Sequence, residues 1–304
     1  MEVIRYTNEL QLPASAVTLG KFDGVHVGHR RLITEVNESR EEGLKTVAFT
    51  FSMHPCRLFS NREIKLIYTE EEKTSLFSET GVDILVYFPF DDVTAQMPPE
   101  EFILEILVKR LHAVKIVVGP DFCFGNKRSG NIQVLEKYAK KCGYELSIVD
   151  KVMFGGENVS SSRIRTALAE GEMESVRQML GCAYFIEGEV VHGRQLGRKI
   201  DMPTANQLPG KEKLLPPKGV YASITEFQGK KYGSITNLGV KPTVGAENQL
   251  GAETFLFDYS GNLYGKTIRT SLLSYLRPER KFESLKALKE QMKQDVERAK
   301  QYLL

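Results

Sequence analysis

The sequence predicts two folds in one chain: an N-terminal parallel, doubly wound α/β domain and a C-terminal small antiparallel β-barrel with a terminal helix. From residue 1 to about 180, short apolar runs alternate with helical patterns. Beyond that point, β-like runs follow one another between Gly, Pro and Asn turns. A chain of 304 residues is long enough for two cores, and we place the domains at 1–182 and 183–304.

The first domain shows five apolar runs of strand length with four helical patterns between them. The predicted strands cover 17–19, 46–51, 84–88, 116–119 and 146–149, and the predicted helices cover 29–41, 70–79, 99–111 and 132–142. This alternation predicts a parallel sheet, which binds its ligands at the carboxyl ends of the strands.

The second domain shows five β-like runs and no helical pattern before residue 284. The runs cover 184–192, 220–227, 232–238, 253–257 and 268–275, a spacing typical of a small antiparallel barrel. We expect the apolar face of the last helix, 284–303, to pack on this barrel. That face carries Leu285, Leu288, Met292, Val296, Ala299 and Leu303.

Composition and charge indicate a globular protein that acts on small molecules. Hydrophobic residues make up 41% and charged residues 26% of the chain, and the net charge of +2 gives no reason to expect a nucleic acid or a membrane as partner. The N-terminus lacks a signal-peptide pattern, and no apolar run approaches about 18 residues. Four cysteines form no C-x-x-C pair. We expect free thiols and a cytoplasmic location, whereas the oligomeric state stays open.

The stretch 20–29, GKFDGVHVGH, follows the first predicted strand and opens a helix. Its glycines let the backbone approach a ligand, and the new helix turns its free N–H groups towards an anion there. His26 and His29 stand at i and i+3 and project from the same end of the helix. This pattern predicts a phosphate site. Two surface histidines, or a metal site with Asp23 as third ligand, are alternatives that the histidine pattern alone leaves open.

The pattern Gly-x-Phe-Asp-Gly-x-His-x-Gly-His resembles the signature of the HIGH-type nucleotidylyltransferases, in the form carried by prokaryotic bifunctional riboflavin kinase/FMN adenylyltransferases (FAD synthetases). The resemblance implies a Rossmann-like nucleotidylyltransferase domain in which His26 and His29 are catalytic. It also implies nucleotide contacts from Gly20, Phe22, Asp23, Gly24 and Gly28.

Two further loops follow predicted strands. The run 117–130 resembles the flavin-and-nucleotide loop of the family, although aromatic side chains in a bare pattern are more often core residues. The resemblance implies flavin contacts from Asp121, Phe122, Phe124 and Arg128. It also implies a flavin contact from His54, which by itself is equally well a turn histidine. Met53 stands where the family usually has proline.

The run 159–165, VSSSRIR, predicts a helix N-terminus capped by Ser160 or Ser161. It resembles the Ile-Ser-Ser-Thr-x-Ile-Arg motif of the mobile triphosphate-binding loop in this superfamily. The resemblance implies that Ser161, Ser162 and Arg165 bind ATP, with Ser161 and Arg165 holding the departing pyrophosphate.

In the second half, the run 188–206 contains a glycine-hinged basic loop followed by Pro-Thr-Ala-Asn, which resembles the riboflavin kinase module. The resemblance implies nucleotide contacts from Gly193, Gly197 and Arg198, and Mg²⁺ ligation by Thr204 and Asn206. Asp201-Met202 replaces the usual Gly-Phe of this motif.

Two residues further along complete the implied kinase site. Glu253, on pattern alone an outward-facing strand residue, would be the base that accepts the proton of the riboflavin 5′-hydroxyl. Arg277 would contact flavin or pair with a carboxylate.

The resemblance implies that the chain uses ATP and Mg²⁺ to phosphorylate riboflavin and then to adenylylate FMN. Because Met53 and Asp201-Met202 depart from the family motifs, a paralogue with one activity is an alternative. A non-catalytic flavin-binding regulator and another nucleotidylyltransferase of the superfamily are further alternatives.

Overall fold

The structure is a computed structural model that describes residues 1–7, 9–52, 65–193, 197, 200–242 and 248–303, without the side chains of 241, 242, 248 and 249. Contacts divide the chain into two compact units, Met1–Ser160 and Ser161–Leu304. Within the described ranges, no helix has the length and apolar character needed to cross a membrane.

The first unit contains a six-stranded parallel sheet. Its strands are β1 (Glu2–Arg5), β2 (Ser15–Leu19), β3 (Lys45–Phe51), β4 (Ile84–Phe88), β5 (Ala113–Val118) and β6 (Glu145–Ile148). Their order across the sheet is β1-β4-β3-β2-β5-β6, and every pair is parallel. The doubly wound α/β fold is therefore confirmed. All residues of β2 and β4 are buried, as expected for strands covered on both faces.

Several helices of this unit begin at residues whose side chains cap them. They are α1 (Val27–Glu38), α2 (Glu70–Ser78), α3 (Asp92–Gln96), α4 (Pro99–Glu101), which continues as a π-helix over Phe102–Arg110, and α5 (Ile132–Cys142). Thr69 and Glu72 form a reciprocal capping box at α2, and Asn131 caps α5.

The sequence did not predict β1, α3 or a small hairpin of β7 (Met153–Phe154) and β8 (Glu157–Asn158). These elements are short, and β1 is an exposed edge strand, so their apolar periodicity is weak.

The second unit begins with helices α6 (Ser161–Glu170) and α7 (Met173–Leu180) and continues as a sheet. The strands are β9 (Tyr184–Glu189), β10 (Ala205–Gln207), β11 (Gly219–Phe227), β12 (Lys230–Pro242), β13 (Asn248–Leu256) and β14 (Thr267–Arg277). Helix α7 contacts β9 and β14, and residues 161–180 fall within the second unit. The boundary at 182/183 stays a prediction.

The antiparallel sheet of the second unit curls so that its two edges meet. Its order is β10-β13-β12-β11-β14-β9, and a bridge between Val191 and Asn206 joins the ends. The buried amide of Gln207 donates to the carbonyl oxygens of Gly188 and Ile268, at 3.1 and 3.0 Å, and accepts from Thr270. Because these bonds connect β10 to both β9 and β14, they hold the barrel closed.

Helix α8 (Leu285–Lys300) packs on β11 and β12, as its apolar face predicts. Met292, Val296 and Ala299 join a cluster with Val220 and Ile235. Leu285 was expected in this face but is 43% exposed, because it is the first residue of the helix and extends past the cluster.

Candidate active sites

The first candidate site lies where the parallel sheet reverses its winding. Strands β2 and β5 are neighbours, and the chain leaves β2 towards β3 on one side and β5 towards β6 on the other. The loops that follow β2 and β5 therefore flank the crevice in which doubly wound sheets bind ligands.

The loop after β2 has an unusual backbone. Phe22, Gly24 and Val25 have φ angles of 47°, 89° and 43°, and only glycine adopts such values without strain. Phe22 is fully buried, and its ring contacts His29 and Phe77 edge-on, at 5.1 and 5.3 Å between centroids. These contacts hold the strained loop in place.

Two other residues of the loop support this shape. The Asp23 carboxylate accepts from the backbone N–H of Ile67 at 3.0 Å, which ties the loop to the segment before α2. A Cβ at Gly20 would meet the Phe22 ring at 3.2 Å, so this position favours glycine.

His26 and His29 form a stacked pair at the start of α1. Their ring centroids lie 3.6 Å apart with 15° between the planes. His26 is the N-cap of α1, and its Nδ1 accepts from the backbone N–H of His29 at 3.3 Å. Because Nδ1 is the acceptor, the proton of the neutral ring lies on Nε2 and is available to a ligand. A Cβ at Gly28 would lie 3.2 Å from the His26 ring, so glycine makes room for the pair.

Burial keeps both histidines neutral. It lowers the pKa of His26 from 6.5 to about 4, against the opposing effect of the nearby Asp23 carboxylate. Burial also lowers the pKa of His29 well below its usual range, and the charges of His26 and Lys73 act in the same direction. His29 Nδ1 is buried and has no hydrogen-bond partner among the described residues. The pair can donate hydrogen bonds to a phosphate but brings no charge at neutral pH.

No metal centre is visible in this region. The described side chains include no group of three His, Cys, Asp or Glu residues arranged to hold a metal ion. The metal alternative for His26, His29 and Asp23 therefore gains no support.

The loop after β5 contains the predicted flavin residues. Phe124 is buried in the core, whereas Phe122 is half-buried and stacks on it, with 5.5 Å between centroids and 19° between planes. Asp121 is exposed and pairs with Lys151. Arg128 is exposed and has a φ of 60°. Of the two phenylalanines, Phe122 is the one with a partly open face.

The remaining residues predicted for this activity fall outside the described part of the first unit. Ser161, Ser162 and Arg165 form the first turns of α6, in the second unit, and the helix begins at the predicted serine. His54, with the departure at Met53, lies outside the described residues, as does Arg198 of the kinase loop.

The second candidate site lies on the barrel around Glu253. In the register of the sheet, Glu253 on β13 pairs with Asn206 on β10 and with Asn237 on β12. The three side chains therefore point to the same face of the sheet, with the carboxylate between two amides. Asn237 donates to Glu279 at 3.0 Å, and its buried Oδ1 has no hydrogen-bond partner among the described residues.

The Pro-Thr-Ala-Asn segment leads into β10 beside the glycine loop. Asn206 donates through Nδ2 to the carbonyl oxygen of Thr204 at 3.4 Å, which leaves Oδ1 for a ligand. A Cβ at Gly193 would lie 2.6 Å from Asn206 Nδ2, and one at Gly197 would collide with the Met202 carbonyl. Position 197 therefore requires glycine, and a side chain at position 193 would displace the Asn206 amide.

A cavity of about 560 Å³ adjoins this segment. Its walls include Thr204, Asp201 and the loop 259–264 between β13 and β14, whose Tyr264 stacks on His192 at 3.9 Å between centroids. Asp201 has a φ of 59° and accepts from Lys289 of α8 at 2.9 Å. The left-handed backbone explains why glycine suits this position, and Lys289 partly neutralises the aspartate that this chain has instead.

Arg277 pairs with Asp295 of α8. Its Nε and Nη2 donate to the carboxylate at 3.0 and 2.7 Å, and the Asp295 side chain is 1% exposed. Of the two alternatives for Arg277, the structure shows the carboxylate pair, and we leave this residue out of the proposed flavin contacts.

Sequence reasoning missed two residues of these sites. Asn237 lies 16 residues before Glu253, and only the strand register shows that the two side chains share a face. Lys73 lies beside the histidine pair and is one of many lysines that a helical pattern assigns to the surface.

Comparisons with known proteins agree with this arrangement. The family model for FAD synthetase matches residues 9–163, and the family model for riboflavin kinase matches residues 180–303. The chain therefore consists of an FAD synthetase module followed by a riboflavin kinase module.

Curated relatives match along nearly the whole chain. The bifunctional riboflavin kinase/FMN adenylyltransferase of Escherichia coli is 35% identical to this chain, and the alignment covers 99% of this chain and 98% of the relative. The one in Bacillus subtilis is 35% identical, with coverage of 95% and 92%. The chain belongs to the bifunctional riboflavin kinase/FMN adenylyltransferase family.

A solved structure described as a macrolide-efflux protein from Streptococcus pneumoniae is 28% identical, with a TM-score of 0.86 and coverage of 99% of both chains. Both modules and their order are shared with that structure.

Proposed function

We propose that this chain converts riboflavin into FAD in two ATP-dependent steps, each at its own site. The observation that carries the proposal is the presence of two complete modules, the first with a neutral histidine pair and the second with a carboxylate between two amides. We further propose that the substrates are the small molecules riboflavin, FMN and ATP, and that the protein works in the cytoplasm.

In the kinase step, Glu253 accepts the proton of the riboflavin 5′-hydroxyl while that oxygen attacks the γ-phosphorus of ATP. The cavity beside Thr204 holds the nucleotide, and Gly193 and Gly197 let the loop backbone approach its phosphates. The Thr204 hydroxyl and Asn206 Oδ1 are hard oxygen donors of the kind that Mg²⁺ prefers, so they fit a Mg²⁺ site. Bound Mg²⁺ would neutralise phosphate charge.

In the adenylyl transfer, an FMN phosphate oxygen attacks the α-phosphorus of ATP, and pyrophosphate leaves. Because a phosphate is already a nucleophile, the chain supplies positioning and charge stabilisation rather than a base. His26 and His29 donate hydrogen bonds to the phosphate oxygens, and the loop around Gly24 offers backbone N–H groups. Phe122 borders the flavin, and we propose that Ser161, Ser162 and Arg165 bind the phosphates that leave.

The test is chromatography of two reactions with purified protein, ATP and Mg²⁺, one given riboflavin and one given FMN, in air and again under dithionite. We expect FAD from both. Glu253→Ala should abolish FMN formation but leave FMN-to-FAD conversion, and His29→Ala should do the reverse, so each variant controls for the folding of the other. Loss of both activities in either folded variant would refute the two-site assignment.

Other outcomes would select the alternatives. FMN without FAD would mean a silent adenylyltransferase site, and FAD from the FMN tube alone would point to Asp201 and Met202 in the kinase. Flavin binding without any product would indicate a regulator.

A further inference from the structure

Lys73 is a charged group at the adenylyltransferase site that has no role in the reaction so far. It stands near the start of α2, whose first turns lie next to the carboxyl edge of the sheet because Ile67, just before the helix, donates to Asp23. The residue is half-buried. A lysine in such a place loses part of its hydration, which costs free energy. Proteins keep a buried charge of this kind where it is paired or has a function.

The surroundings of Lys73 come from four elements. Its Nζ lies 5.0 Å from the ring centroid of Tyr87 on β4, and its charge interacts with Asp23 of the loop, Glu70 of its own helix and His29 of α1. The same Tyr87 ring receives Arg5 at 5.4 Å. Arg5 pairs with Glu70 at 3.0 Å, so part of the charge of Glu70 is already balanced.

The neutral histidine pair supplies no positive charge to balance the negative charge of the transferring phosphoryl group. A transferring phosphoryl group spreads negative charge over its oxygens, and the enzyme must stabilise it. Both histidines are neutral, since stacking at 3.6 Å and burial disfavour imidazolium. Burial lowers the pKa of the Lys73 ammonium to about 8, so it remains mostly protonated at neutral pH.

We propose that Lys73 is a further catalytic residue of FMN adenylylation, whose ammonium group stabilises the phosphate charge beside the hydrogen bonds of His26 and His29. Asp23 and Glu70 hold the lysine in its charged form until the nucleotide arrives. This inference rests on the proposed function of the first site.

The test compares Lys73→Met and Lys73→Arg with the unchanged full-length protein. We expect Lys73→Met to lower kcat for FMN-to-FAD conversion by about 100-fold, the usual effect of losing one stabilising group, while KM for ATP changes little. Lys73→Arg keeps the charge and should retain most of the rate. The wild-type rate should decline above about pH 8 as Lys73 loses its proton, and Lys73→Arg should lack this decline.

Two controls separate catalysis from folding. FMN formation by the kinase module should be unchanged in both variants. Lys141→Met removes a lysine that lies 5.3 Å from the Tyr138 ring in the same unit, far along the chain from the histidines, and should alter neither activity.

Three results would overturn the inference. A kcat of Lys73→Met within about threefold of the wild type would show that the reaction does not use the charge. Equal losses in Lys73→Met and Lys73→Arg with a lower melting temperature would show that Lys73 only supports packing. A wild type unable to convert FMN would refute the proposed function and this role with it.

Discussion

His26 has two tasks in this structure, and two substitutions separate them. Its Nδ1 caps α1 by accepting the His29 N–H at 3.3 Å, and its Nε2 proton is the proposed phosphate donor. Asparagine caps helices well but has no imidazole, whereas alanine does neither. Both His26→Asn and His26→Ala remove the buried ring and its stacking on His29, so the difference between them isolates the cap.

The magnitudes follow from these contacts. Loss of an N-cap costs about 1 kcal/mol, so His26→Ala should melt roughly 2–4 °C below His26→Asn. Both variants should lose FMN-to-FAD conversion by about 10²–10³-fold, the effect of removing one donor to developing phosphate charge.

The assays are thermal melting followed by circular dichroism and chromatographic rates for each activity, with FMN formation as the control for folding. A His26→Asn variant that converts FMN at the wild-type rate would refute the catalytic role. Equal melting temperatures for the two variants would refute the capping role.

Three further outcomes are expected. Burial lowers the pKa of His26 to about 4 in the folded protein, against 6.5 in the unfolded chain, so about 3 kcal/mol of folding free energy is present above pH 6.5 and is lost as the pH falls towards 4. The melting temperature plotted against pH should therefore have a shallower slope in His26→Asn than in the wild type. Equal slopes would contradict this prediction. Asp295→Asn leaves the Arg277 guanidinium without its countercharge and should lower the free energy of unfolding in urea by about 3–5 kcal/mol. Glu297→Ala breaks an exposed ion pair on the same helix and should lower it by less than about 0.5 kcal/mol. Asp201→Gly relieves the strain of a φ of 59° and removes a carboxylate from the cavity wall. The variant should therefore be as stable as the wild type and bind ATP at least as tightly as the wild type does. A higher KM for ATP would show that the aspartate assists binding.

The long elements of the fold were predictable because their periodicity is local. The strand at 84–88 has the predicted bounds, the strand at 46–51 lacks only the first residue of β3, and the strand at 146–149 is shifted by one residue from β6. The helix predicted at 99–111 is there, but most of it is π-helical, which an apolar pattern does not distinguish from an α-helix. Short or exposed segments such as β1 were missed since they have little apolar contrast.

The first site was predictable from the sequence because its parts lie within ten residues of chain. Glycines, a strand end and two histidines at i and i+3 predict a phosphate site wherever the domain boundaries fall. The sequence by itself therefore determined the fold class, the module order and the histidine pair.

Tertiary structure decided what depends on distant parts of the chain. Only strand register sets Glu253 between Asn206 and Asn237, which are 47 and 16 residues away by number, and only packing joins Arg277 to Asp295. Packing likewise brings Lys73 to the histidines and gives them a neutral form, because pKa values follow from burial and neighbouring charges rather than from residue type.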